Sequence, residues 1–192
     1  SPPVRCALVG LGRIGFLLED DPLREKPASH AGAIRANPDC HLIAGCDLDA
    51  DRRAAFALRW KVAAIYADLA TLLGDTRPDL LHIATPPEHH LEAVRCAVAH
   101  KIPVIVCEKP LAPTREEAVK IVTVARRGGA RLMVNHERRF CADWRHVRSL
   151  IQGKELGGLQ SIRASLYMGR RRRAGEMLFD DGTHLIDVLR FI

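Results

Sequence analysis

The chain has 192 residues, 47% hydrophobic and 27% charged, with 14 Gly and 11 Pro, proportions that exclude disordered and fibrous classes. That length suffices for one generous domain, or for one domain and part of a second, with about 70% of the unfolded surface buried on folding. The net charge of +6 is uneven: residues 137–192 hold 11 Lys and Arg against 7 Asp and Glu, a balance of +4 that peaks at Arg170–Arg173 and points to an anionic ligand or partner there.

Five short apolar runs read as strands: "VRCALVG", which leads straight into glycines, then "HLIAGCD", "LLHIAT", "PVIVCEK" and "RLMVN". They do not alternate with polar residues, which predicts parallel strands covered on both faces. Helical segments fall between them at residues 50–59, in "EHHLEAVRCAVAH" and in "TREEAVKIVTVARRGG", the last opening with the capping box Thr114 and Glu117. Alternation of strand and helix predicts an α/β fold with a doubly wound parallel sheet. The texture changes near Asn135 to Arg139, and the expected division is residues 1–136 and 137–192. In the second part "WRHVRSLIQGKELGGLQ" reads as an amphipathic helix ending at a glycine turn, and "SIRASLYMG" as a strand with one open face. A closing helix over "DDGTHLIDVLRFI" sets Asp180, His184 and Asp187 on one stripe and Leu185, Val188, Leu189 and Ile192 on another.

No apolar run approaches the roughly 18 residues of a membrane span, and "SPPVRCALVG" lacks the order of a signal peptide. A cytoplasmic protein without membrane contact is expected. Six scattered cysteines without a CxxC pair read as buried thiols, and no metal site is expected.

Three stretches carry chemistry. "VGLGRIG" places Gly10, Gly12 and Gly15 as GxGxxG after a strand and at the start of a helix. The first glycine serves a tight turn, the second the approach of backbone to a pyrophosphate, and the third close helix-to-strand packing. Gly10, Gly12, Arg13, Ile14 and Gly15 are therefore candidate cofactor contacts; the bland alternative is a glycine-rich turn without ligand. Asp47 ends the second strand, where an acid accepts hydrogen bonds from an adenosine ribose and disfavours a 2′-phosphate. It lies further from the glycines than usual, and "EDDPLREKPAS" accounts for the excess as an insertion. The alternative for Asp47 is a turn or helix-capping residue, along with Asp49 and Asp51, while Arg52 and Arg53 leave room for NADP beside NAD. "CEKPLA" sets Lys109 at a strand's carboxyl end, facing the crevice where such sheets bind ligands, with Pro110 fixing its direction; a solvated lysine paired with Glu108 is the alternative. The Asp180 and His184 pair suits proton transfer, since a carboxylate fixes a histidine's tautomer and raises its basicity, although such pairs are also structural.

Taken together, "VGLGRIG", the "GCD" acid, "IATPPEHH", "VIVCEKPLA", "RRF" at 138–140 and "DDGTHLID" resemble the Gfo/Idh/MocA family of NAD(P)-dependent oxidoreductases, which includes glucose-fructose oxidoreductase and inositol dehydrogenases. The resemblance implies a Rossmann domain followed by the start of an α/β domain on an open sheet, with the active site between them. It implies Lys109, Asp180 and His184 as catalytic residues, Thr85, Pro86 and His90 along the nicotinamide side, and Glu108 in the cofactor crevice. The implied reaction moves a hydride between a nicotinamide and a secondary alcohol or ketone of a sugar, cyclitol or related polyol. His184 would take the hydroxyl proton, oriented by Asp180, and Lys109 would stabilise alkoxide charge or relay the proton.

Two departures stand out. Asn135, His136 and Glu137 replace the small or aromatic residues that many relatives carry before the arginine pair, and His136 either lines the pocket or packs. Arg170–Arg173 fit either a phosphate- or carboxylate-bearing sugar or a solvated loop. Family members are usually much longer, so a fragment of a longer chain is expected, homo-oligomeric when complete. A non-catalytic dinucleotide-binding regulator is the alternative function; nucleic-acid binding rests on charge alone and finds no motif.

Overall fold

The computed structural model describes residues 2–155, 157–165 and 177–192, with Asp180 described through its backbone alone. They fall into two compact units, Ser1–Val134 and Asn135–Ile192.

In the first unit the strands are β1 (Val4–Val9), β2 (Cys40–Cys46), β3 (Ala64–Tyr66), β4 (Leu80–Ile83), β5 (Val104–Glu108) and β6 (Arg131–Asn135). They form one sheet in the order β3-β2-β1-β4-β5-β6. The β1–β2, β1–β4, β2–β3 and β4–β5 pairs are parallel, as the unbroken apolar runs predict. Strand order reverses between β1 and β4, and in such sheets the carboxyl ends beside that reversal hold the ligand. Asp47, the glycine turn, Thr85 and Lys109 each follow one of these ends.

Both faces of the sheet are filled. On β1, Ala7 and Val9 join a cluster with Leu72, Leu81, Ile83, Val94 and Ile105. Cys6 and Leu8, pointing the other way as strand alternation requires, join Leu11, Phe16, Ile34, Leu42 and Phe56. Phe16 and Phe56 meet edge to face with centroids 5.4 Å apart, a geometry that aromatic quadrupoles favour.

The expected helices are α2 (Ala50–Trp60), α4 (His90–Ala99) and α5 (Arg115–Arg127). The Thr114 hydroxyl accepts the Glu117 amide at 3.2 Å and caps α5. Beyond the sequence reading, the structure adds β3, α1 (His30–Ala36) and α3 (Leu69–Thr76). Asp68 caps α3 by accepting the Thr71 amide at 2.7 Å. Its bond to the Thr71 hydroxyl is the largest influence holding that carboxyl below its usual range.

Expectation and structure first differ at the glycine motif. The glycine motif does not open an α-helix directly: residues 12–16 form turns and Leu17–Asp20 a 3-10 segment. The helix resumes only at His30, whose amide donates to the Ile14 carbonyl at 3.0 Å, while the Ala31 amide donates to Gly15 at 3.0 Å. In an unbroken helix those carbonyls would take the amides of residues 18 and 19. The predicted insertion is thus looped out of a single helix, which closes again across the seam. Glu19 stitches the loop shut by accepting from the Ala28 amide at 2.7 Å and the Ser29 hydroxyl at 3.0 Å.

The second unit contains α6 (Ala142–Gln152) and α7 (Thr183–Phe191). Residues 161–165 form no strand, contrary to the reading of "SIRASLYMG"; residues 166–169 and Arg170–Arg173 lie outside the described residues. α7 is preceded by a wider π turn at Leu178–Gly182, so the expected single helix from Asp180 is broken in pitch. Its buried face carries His184, Asp187 and Val188. Leu189 of the predicted apolar stripe is 38% exposed.

All six cysteines are free thiols. Burial pushes Cys6, Cys46 and Cys107 up to about 12, whereas Cys141 is exposed, against the expectation of burial.

Candidate functional site

The three motif glycines meet three different demands. Gly10 adopts φ 90°, and a Cβ there would lie 2.5 Å from the Ala84 carbonyl carbon and 2.6 Å from the Thr85 nitrogen. A Cβ on Gly15 would run into the Gly10 carbonyl oxygen. At Gly12 a Cβ would meet only the Arg52 guanidinium at 3.7 Å, which leaves open space over that backbone. Close packing therefore demands the first and third glycines, whereas the second has room for a side chain. Arg13 beside it is exposed and Ile14 half-buried.

Asp47 anchors this turn. One carboxylate oxygen accepts the Leu11 amide at 2.7 Å and the other the Asp49 amide at 2.9 Å. Each oxygen keeps a second lone pair for a further donor. The neighbouring arginines differ: Arg53 is spent on the backbone carbonyls of Asp47 and Leu48, both at 2.8 Å. Arg52 lies 3.9 Å from Asp47 and 3.5 Å from Asp49. Asp49 is held below the usual carboxylate range, chiefly by the backbone amide of Arg52.

At the end of β4, Thr85 keeps its hydroxyl buried with no hydrogen-bond partner among the described residues. Pro86 is exposed. His90 is fully buried, its Nε2 2.9 Å from the Thr85 carbonyl and its Nδ1 3.0 Å from the Leu111 carbonyl. Carbonyls only accept, so the ring nitrogen that bears hydrogen donates to one of these two carbonyls. His90 thereby ties the loop after β4 to the loop after β5.

Glu108 ends β5, buried, and its carboxylate accepts the Lys109 amide at 3.2 Å. The Lys109–Pro110 peptide is cis. The other Glu108 oxygen lies 2.9 Å from His30 Nε2, and His30 Nδ1 lies 2.9 Å from His82 Nδ1. Burial, with His30 alongside, pushes His82 down to about 3, so this ring is neutral at pH 7. One ring must then donate through Nδ1 and the other accept. This chain links the start of α1, β4 and the strand end that bears Lys109. Sequence reading missed His30 and His82; the available signal was an ionisable residue in the middle of the apolar run "LLHIA".

In the second unit His184 is buried on α7. Its Nδ1 lies 3.6 Å from a Glu137 carboxylate oxygen, and its ring meets that of His136 edge to face at 6.4 Å. Asp187, one turn further on, is gripped by Arg139 through Nε at 2.6 Å and Nη2 at 2.5 Å. That hydrogen bond raises the already high value of the guanidinium. The Asp180 side chain, the expected partner of His184, lies outside the described residues.

Residues 4–136 match the Gfo/Idh/MocA model, described as an oxidoreductase family with an NAD-binding Rossmann fold. The chain belongs to this family. As a Gfo/Idh/MocA protein it is 33% identical over 193 residues to the inositol 2-dehydrogenase of Pseudarthrobacter chlorophenolicus, covering 98% of this chain and 53% of the relative. It is 25% identical to the D-glucoside 3-dehydrogenase of Escherichia coli, covering all of this chain and 54% of that protein. A solved oxidoreductase of Agrobacterium radiobacter, in complex with NAD+, L-tartaric acid and magnesium, superposes with a TM-score of 0.78 at 25% identity, over 98% of this Gfo/Idh/MocA chain and 54% of its own. The chain thus spans about half the length of the curated relatives it matches.

Proposed function

We propose that this chain supplies the cofactor-binding and proton-handling residues of an NAD-dependent oxidoreductase that interconverts a secondary alcohol and a ketone on a sugar, cyclitol or related polyol. The observation that carries the reading is the glycine turn, closed against Ala84 and Thr85 at Gly10 yet open over Gly12. The orphaned Thr85 hydroxyl and the Asp47 carboxylate at a strand end fit the same ligand. The names of the relatives, which include an inositol and a glucoside dehydrogenase, support the substrate class.

In this reading residues 1–136 form the cofactor domain and 137–192 begin the substrate domain. Gly10, Gly12, Arg13, Ile14 and Gly15 hold the pyrophosphate through backbone amides, and Asp47 holds the adenosine ribose. Thr85, Pro86 and Glu108 border the nicotinamide, and His90 acts through the carbonyls it fixes. When bound, the nicotinamide supplies the hydride acceptor or donor. His184 takes the substrate hydroxyl proton, with Asp180 as a carboxylate partner, and general-base help of this kind is worth about 10² to 10⁴ in rate. The Lys109 ammonium stabilises the developing alkoxide.

Calorimetric titration of the intact protein with NAD+ and NADP+ tests the cofactor half: NAD+ is expected to bind more tightly, and the reverse order would remove Asp47 as the discriminating residue. For the chemical half, His184→Ala is expected to lower polyol-dependent NAD+ reduction at least about tenfold with NAD+ affinity retained. Unchanged turnover would take His184 out of the mechanism.

A further inference from the structure

We propose that the turn Glu137–Phe140 is a positioning device for His184, in which Arg139 fixes the rotation of α7 through its two-point grip on Asp187 and the Glu137 carboxylate biases the imidazole tautomer by its charge on the Nδ1 side. The inference rests on the proposed role of His184 and adds two residues to it.

The first half follows from helix geometry. His184 and Asp187 are three residues apart and share a face of α7, and both are buried. The turn of helix before α7 has π pitch, so a regular α ladder does not set the rotation of α7 from its N-terminal side. A guanidinium that meets both carboxylate oxygens, at 2.6 and 2.5 Å, fixes the plane as well as the position of its partner. Holding Asp187 in this way holds the direction in which His184 leaves the helix. A lysine, with one ammonium in place of a planar fork, keeps the charge and loses the angular constraint.

The second half follows from charge. Among the described residues, His184 faces Glu137 and His136 from the turn. Asp187 lies on its own helix, neutralised by Arg139, and Asp180 and Asp181 precede it in sequence. Glu137 Oε2 lies 3.6 Å from Nδ1, beyond hydrogen-bond distance, and acts on the ring as a charge. A carboxylate there favours the tautomer with hydrogen on Nδ1, which leaves Nε2 as the proton acceptor, and it favours the imidazolium once the proton has been taken. Glu137 is 58% exposed along its side chain, so its influence is moderate and screened by salt.

The test uses the intact enzyme with NAD+ and a polyol that it oxidises. Glu137→Gln is expected to lower kcat about three- to tenfold and to move the acid limb of the pH profile towards lower pH, with the KM for NAD+ unchanged. Glu137→Asp should restore part of both effects. In a long-range proton–nitrogen spectrum the His184 signals should move from the Nδ1–H pattern towards Nε2–H in Glu137→Gln. Arg139→Lys is expected to lower kcat about tenfold, leaving the pH limb in place and NAD+ affinity intact. A Glu137→Gln profile and spectrum that superpose on those of the wild type would overturn the role of Glu137, and wild-type kcat in Arg139→Lys that of Arg139. If both variants are silent while His184→Ala is dead, only the positioning device fails; if His184→Ala is fully active, the catalytic reading fails with it.

Discussion

His82 joins the strand core through a ring that burial, aided by the neighbouring His30, pushes down to about 3, against about 6.5 in an unfolded chain. Between those values the unfolded state binds the additional proton, so stability falls as the pH drops from about 6.5 towards 3 and is independent of this group above 7. The full span amounts to a few kcal/mol. His82→Gln is therefore expected to flatten the acid slope of urea-unfolding free energy between pH 6.5 and 4; an unchanged slope would mean that His82 protonates freely in the fold. The same chain of contacts explains why Glu108 is buried: His30 lies 78 positions away in sequence and supplies the partner that a buried carboxylate requires. Asp47 has a comparable local logic, since its grip on the Leu11 amide shapes the turn that it also flanks.

The turn after β1 and the cap of α5 make contrasting predictions. Gly10→Ala places a methyl group against Ala84 and Thr85 at a φ that L residues rarely adopt. It should cost at least about 2 kcal/mol in urea unfolding and weaken NAD+ binding at least tenfold. Thr114→Ala, which removes only the cap of α5, should cost about 1 kcal/mol and leave NAD+ affinity unchanged. Five of the six strands were legible as continuous apolar runs, which burial on both faces writes into β1, β2, β4 and β5, while β6 keeps such a run at the half-exposed sheet edge. The exception, β3, has three residues, Ala64–Tyr66, too few to show a period. Likewise α1 and α3, with 7 and 8 residues, carry too little periodicity to stand out. The glycine motif, Asp47 and Lys109 were legible because each sits where a strand ends. The seam between Ile14 and His30 was not, since it joins positions separated by a polar loop. The grip of Arg139 on Asp187, 48 positions apart, likewise exists only in three dimensions.

For the molecule as a whole, a ligand that binds only the folded state stabilises by mass action: at 100 times its dissociation constant, NAD+ should add about 2.7 kcal/mol. The thermal midpoint of the chain should rise by roughly 5–10 °C, and an unmoved midpoint in scanning calorimetry would argue that the glycine turn holds no dinucleotide. Among the described residues no helix is long and apolar enough to cross a membrane. The looped-out segment of the first helix has a practical consequence. Its two ends are tied by the amides of His30 and Ala31 and by the Glu19 carboxylate, while Leu23 at its tip is 93% exposed. Doubling the length of such a closed loop costs only about 0.6 kcal/mol of closure entropy. A reporter peptide grafted between Leu23 and Arg24 would leave the sheet undisturbed, with its anchor points on the segment that continues the glycine turn.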